Sequence, residues 1–107
     1  AGYDRQSGYS VAIGRNAGLY RQGENSVAIG FAAGSTSQGK NSVAIGYGAG
    51  ESNQSANSII INAGEASLPG GETGACYINP IRQVNNTNTL YQLYWDPSTK
   101  EIVYHET

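Results

Sequence analysis

The sequence predicts an all-β protein: a parallel β-roll or solenoid of 16-residue coils, closed by a C-terminal β-hairpin cap. Three observations predict it. Ser-Val-Ala-Ile-Gly occurs at Ser10, Ser26 and Ser42 and returns as Ser-Ile-Ile-Ile-Asn at Ser58, so the period is 16 residues without a slip. Gln6, Gln22, Gln38 and Gln54 keep the same spacing, as do Ala17, Ala33 and Ala49 and Gly18, Gly34 and Gly50. The chain also lacks the material of a conventional core, with no Met, one Phe and many of its apolar residues alanine. A strict short period marks a unit that cannot bury its apolar face alone and stacks on copies of itself.

Within a unit the pentapeptide alternates, Val11 and Ile13 to one face and Ser10, Ala12 and Gly14 to the other. β-Branched residues suit a strand and glycine ends it. A strand of about five residues, a turn, a second short strand and a return turn complete one coil, and coils stack about 4.8 Å apart. Val11, Val27 and Val43, with Ile13, Ile29 and Ile45, are expected to form a thin apolar spine. Asn25, Asn41 and Asn57 are expected to stack at a turn and bond amide to amide along the array, as is the glutamine series. Gly18, Gly34 and Gly50 are expected at positive φ, where a Cβ is strained.

The energy balance of such a coil points to an oligomer. Two large aliphatic residues per coil are little apolar burial to set against the backbone entropy of ordering 16 residues. The small, flat face of Ala12, Ala28 and Ala44 is the expected contact between copies.

The variable turn positions carry the candidate binding residues. Arg15, Phe31 and Tyr47 align at one period, and Tyr20 and Arg21 lie in the densest aromatic and basic group of the N-terminal end. Such residue types in turns suit carbohydrate or protein surfaces.

Residues 65–74 are rich in glycine and break the period around Pro69, which predicts a loop where the roll of residues 1–64 ends. Residues 75–107 form a separate segment. Ala75–Ile78 reads as a short strand, Ile81–Val84 as its resumption, Asn85–Asn88 as a turn, and Leu90–Tyr104 as a hairpin about the Asp96–Lys100 turn. Tyr77, Tyr91, Tyr94, Trp95 and Tyr104 are expected to cap the open edge of the stack and pack a trimer, with an aromatic sugar-binding platform as the alternative.

Several function classes are excluded or left without residues. Six Lys and Arg against eight Asp and Glu leave a net charge of −2, no footprint for nucleic acid or an anionic membrane, and no apolar run spans a bilayer. Neither a cofactor nor a metal is expected, because no His, Cys and carboxylate cluster has ligand spacing and no nucleophile sits in a catalytic context. Cys76 reads as a small buried hydrophobe. The sequons at Asn53 and Asn85 are short matches of little weight.

Ser-Val-Ala-Ile-Gly, a turn, an Ala and a Gly, with Asn before each later Ser, resembles the head repeats of trimeric autotransporter adhesins over residues 1–64. The resemblance implies a left-handed parallel β-roll assembled as a homotrimer, with a larger turn than those heads commonly have. It places the chain outside the cell, on a virion fibre or cell surface, attaching without catalysis to a host glycan or surface protein. A structural spacer and a fragment of a polysaccharide-degrading spike, with Glu24, Glu51, Glu65 and Glu72 as its carboxylates, are the alternatives. The string from Ala75 to Arg82, with Leu90-Tyr91 and Tyr94 to Ile102, is similar to fibre proteins of large algal viruses and phages just upstream of a self-cleaving intramolecular chaperone. That similarity implies a maturation end near Thr107 and an ion-pair role for Arg82 at a trimer interface.

Overall fold

A computed structural model describes residues 1–85 and 88–106. The middle of the turn expected at Asn85–Asn88, the end of the sequon at Asn85, and Thr107 lie outside the described residues. Five short strands form one parallel sheet in chain order: β1 (Val11–Ile13), β2 (Val27–Ile29), β3 (Val43–Gly46), β4 (Ile59–Asn62) and β5 (Cys76–Asn79). Two more, β6 (Tyr94–Asp96) and β7 (Glu101–Val103), pair antiparallel as a separate hairpin. The fold is an all-β parallel solenoid with coils of about 16 residues.

The repeat sets the register. Val11, Val27, Val43, Ile59 and Cys76 stand side by side, as do Ile13, Ile29, Ile45, Ile61 and Ile78. The second side of each coil is joined by single-residue bridges, Asp4 to Tyr20, Tyr20 to Thr36 and Thr36 to Ser52. Each coil turns at glycine or asparagine. Gly18, Gly34 and Gly50 lie at φ 53–59°, and a Cβ on Gly18 would approach the Gln22 side chain to 2.8 Å. Asn25, Asn41 and Asn57 also adopt positive φ, which asparagine tolerates. Their amides bond in series, Asn25 Nδ2 to Asn41 Oδ1 and Asn41 Nδ2 to Asn57 Oδ1, both at 3.2 Å.

The two faces of the strand are inverted relative to the sequence expectation. Ala28 and Ala44 are fully buried inside the coil, facing Ala17, Ala33 and Ala49, while Val11 and Ile13 lie 43 % and 57 % exposed on the outer face. Val27, Ile29, Val43 and Ile45 are half-buried beside them. The valine and isoleucine columns therefore stack on the outside of the roll and are not its interior spine. Ala28 and Ala44, having no accessible surface, cannot be the contact between copies, and Ala12 shares their inward column.

Serine sets this phase. Ser26 Oγ donates to Gly23 O and Ser42 Oγ to Gly39 O, both at 2.5 Å, which turns serine inward and alternation then turns valine out, alanine in and isoleucine out. Glutamine fills the remaining width. Gln22, Gln38 and Gln54 reach across the coil, their Nε2 atoms donating to the carbonyls of Val11, Val27 and Val43 at 2.6, 2.8 and 3.0 Å. Gln38 also donates to Gln54 Oε1 at 3.1 Å. A thin interior of alanine, serine and spanning glutamine leaves no room for a valine and isoleucine spine.

The sheet continues past the expected end of the roll. β5 lies one residue late, with Ile59 opposite Cys76, because residues 63–75 wrap a longer coil whose second side is held by Gly50 N–H to Leu68 O and Gly70 N–H to Ser52 O. The inward column grows along this end, from Ala44 to Ile60 to Tyr77. The Tyr77 ring lies against Gly71, and its hydroxyl accepts the Glu72 N–H at 3.0 Å, closing the last coil from within. Ile81–Val84 does not resume a strand, and Cys76 is exposed at the end of the valine column, not buried.

Candidate functional site

Two features of the roll face solvent with more than ordinary polarity or apolar area. The first is an edge ribbon. Arg15, Phe31 and Tyr47 each follow the glycine that ends a strand, so the 16-residue register brings them into one column. Phe31 stacks on Tyr47 with ring centroids 5.6 Å apart and planes 11° from parallel, and the Arg15 guanidinium carbon lies 5.9 Å from the Phe31 centroid. All three are exposed. A guanidinium over an aromatic face is held by the ring quadrupole, worth about 0.5–1 kcal/mol at an exposed site. The ribbon is thus a flat, ordered surface with a fixed positive end.

Tyr20 and Arg21 do not join it. They lie on the second side of the coil, where Tyr20 meets Tyr3 edge-on at 6.3 Å and Arg21, at φ 60°, is exposed. The five sequence candidates therefore form two groups, three on one edge and two on another.

The second feature escaped the sequence reading. The outward valine and isoleucine columns make an exposed apolar face five strands long, and monomeric proteins rarely expose contiguous apolar area of this kind. Parallel sheets are ordinarily covered on both faces. At its C-terminal end this face runs into a groove of about 760 Å³ between Ile59, Ala75 and Cys76 of the roll and Trp95, Lys100 and Ile102 of the hairpin. The signal was present in the serine positions, since an inward turn serine dictates an outward valine.

Beyond the roll, Arg82 is exposed on the stretch that follows β5. The hairpin turn is closed by Lys100 N–H to Asp96 O at 2.8 Å, with Ser98 N–H on Asp96 Oδ1 at 2.9 Å. Among the described residues no group of three or more His, Cys, Asp or Glu could hold a metal ion, and no helix is long and apolar enough to cross a membrane.

The family model of the YadA head domain repeat matches residues 22–49 in two copies. The match spans the coils that carry Ser26–Gly30 and Ser42–Gly46 and includes Phe31 and Tyr47, while Arg15, Tyr20 and Arg21 precede it. Comparison with curated proteins and with solved structures returned no match. A head-repeat match of this kind points to a non-enzymatic protein of the adhesin type. The match and the parallel solenoid register together fit trimeric autotransporter adhesin head-like repeats.

Proposed function

We propose that the chain is a segment of a homotrimeric fibre or adhesin, carried on a virion or cell surface, that attaches to a host glycan or surface protein by multivalent contact. The observation that carries this reading is the ordered Arg15–Phe31–Tyr47 ribbon on the exposed edge of a rigid roll. Stacked aromatic rings offer contact area with little side-chain entropy left to lose, and arginine adds a directed charge. Each ribbon alone is a weak site. Three on one rod convert later contacts into intramolecular events and raise avidity by about 10²–10⁴.

The outer valine and isoleucine face supports the trimeric part of the reading, in place of the alanine face. Copies packed through Val27, Ile29, Val43 and Ile45 around an axis would bury the apolar columns, and the Trp95 and Ile102 groove continues that surface. Arg82 would then pair with a carboxylate of a neighbouring copy.

Binding of the full chain to arrays of host glycans and surface proteins tests the attachment. The expected result is binding that falls at least about tenfold in the Arg15→Ala/Tyr47→Ala variant. Undiminished binding by that variant contradicts the ribbon. Absence of binding at high valency makes the segment a spacer.

A further inference from the structure

The β6–β7 hairpin has two faces with different surroundings. Trp95 pairs with Ile102 and both line the groove toward the roll. Tyr94, one residue away on the strand, belongs to the opposite face by simple alternation. There it lines a cleft of about 500 Å³ together with Tyr91, Gln92, His105 and Glu106. The volume falls within the range of small-molecule sites. A copy of the chain covering the Trp95 face would leave this cleft open.

The walls are fixed rings. Tyr94 stacks on His105 at 5.1 Å and 12°, and Tyr91 stacks on Tyr104 at 5.1 Å and 21°. The polar groups are fixed with them, since Tyr91 O–H donates to Glu106 Oε1 at 3.0 Å and Tyr94 O–H to Gln92 Oε1 at 2.9 Å. Each tyrosine is half exposed, so one ring face or edge stays available. The lining therefore combines flat aromatic surface, a carboxylate, an amide and an imidazole, with no Lys or Arg.

We propose that this cleft binds one uncharged pyranose unit of a glycan. A pyranose presents a face of polarised C–H groups, which the negative face of an aromatic ring attracts, and a rim of hydroxyls that both donate and accept. Tyr91 and Tyr94 supply the ring surface. Glu106 accepts from sugar hydroxyls, and Gln92 and His105 accept or donate. With a carboxylate and no cation in the lining, a uronic or sialic acid meets like-charge repulsion. None of these residues belongs to the Arg15–Phe31–Tyr47 ribbon, so the cleft and the ribbon stand or fall separately.

The test is saturation-transfer NMR on the full chain with the methyl glycosides of glucose, galactose and N-acetylglucosamine, and with methyl glucuronide. The expected result is saturable binding of at least one neutral glycoside at roughly millimolar Kd, with methyl glucuronide weaker by about tenfold or more. Tyr94→Ala should weaken the neutral ligand about tenfold. Glu106→Gln, isosteric at an exposed position, should narrow the discrimination against glucuronide, and Lys40→Ala, exposed on the roll outside both surfaces, should change neither. Absence of saturable binding by all three neutral glycosides overturns the proposal. So does undiminished binding by Tyr94→Ala, or a loss that follows Lys40→Ala instead.

Discussion

The roll and the segment after β5 use their side chains in opposite ways. In the roll the small residues face in, and Ala28, Ala44, Ser26, Ser42 and the glutamines are sealed in a narrow interior. In the described residues beyond Asn79 the large residues face out, with Leu90, Leu93, Trp95, Ile102 and Tyr104 mostly exposed. The two regions draw their order from different sources. The roll is held by hydrogen bonds repeated from coil to coil, so it needs little apolar volume. An isolated two-stranded hairpin is marginal in water, and this one owns apolar surface that it does not bury itself.

The sharpest way to break the roll is to push its coils apart. A Cβ on Gly39 would lie 2.5–2.7 Å from the backbone of Gln54, Ser55 and Ala56 in the next coil, and backbone cannot move aside. Gly39→Val is expected to destabilise by about 3 kcal/mol or more, read as a lowered urea midpoint by circular dichroism. Leu93→Ala, on the exposed segment, is expected to move the midpoint by less than about 0.5 kcal/mol. Equal effects at both positions would erase the contrast between the regions.

A smaller loss is expected from the interior polar network. Gln38→Leu removes the donor to Val27 O and to Gln54 Oε1, leaving the buried Gln54 Oε1 unpaired at a cost of about 1–3 kcal/mol. The same change at Gln92, whose partner is an exposed tyrosine hydroxyl, should fall within about 0.5 kcal/mol. A neutral Gln38→Leu would show that the spanning amides fill space without directing the coil.

Much of this division could be read from the residues. Serines at 10, 26, 42 and 58 fix the coil length, and the structure keeps that register through β4. The asparagine series and the positive φ of Gly18, Gly34 and Gly50 follow from turn chemistry alone. What misled was volume, because valine and isoleucine are ordinarily the inner residues of a strand. Here the serine hydroxyl bonding three residues back, and the glutamine spanning the coil, decide the phase against hydrophobicity. The strand at Ala75–Ile78 was legible, but its place in the sheet of the roll was hidden because Pro69 and the glycines around it interrupt the period without ending the sheet. The ribbon was legible as a column of aligned positions, whereas the cleft draws Gln92 and Glu106 from separate stretches that no period relates.

The smallest stability effect is expected at the ribbon itself. Arg15→Ala removes an exposed cation from an aromatic face and should lower stability by less than about 1 kcal/mol, measured by thermal melting. A larger loss would make the ribbon a structural strut and weaken its claim as a contact surface.

The proposed trimer joins three copies of the chain through the outer valine and isoleucine face. Light scattering at low micromolar concentration, on the native chain and on Ile29→Lys/Ile45→Lys, tests it most directly. A trimer held by this face gives a native mass three times that of one chain, and a variant that keeps its β-sheet signal at the mass of one chain. A native chain that is a folded monomer, or a variant that remains a trimer, would contradict it.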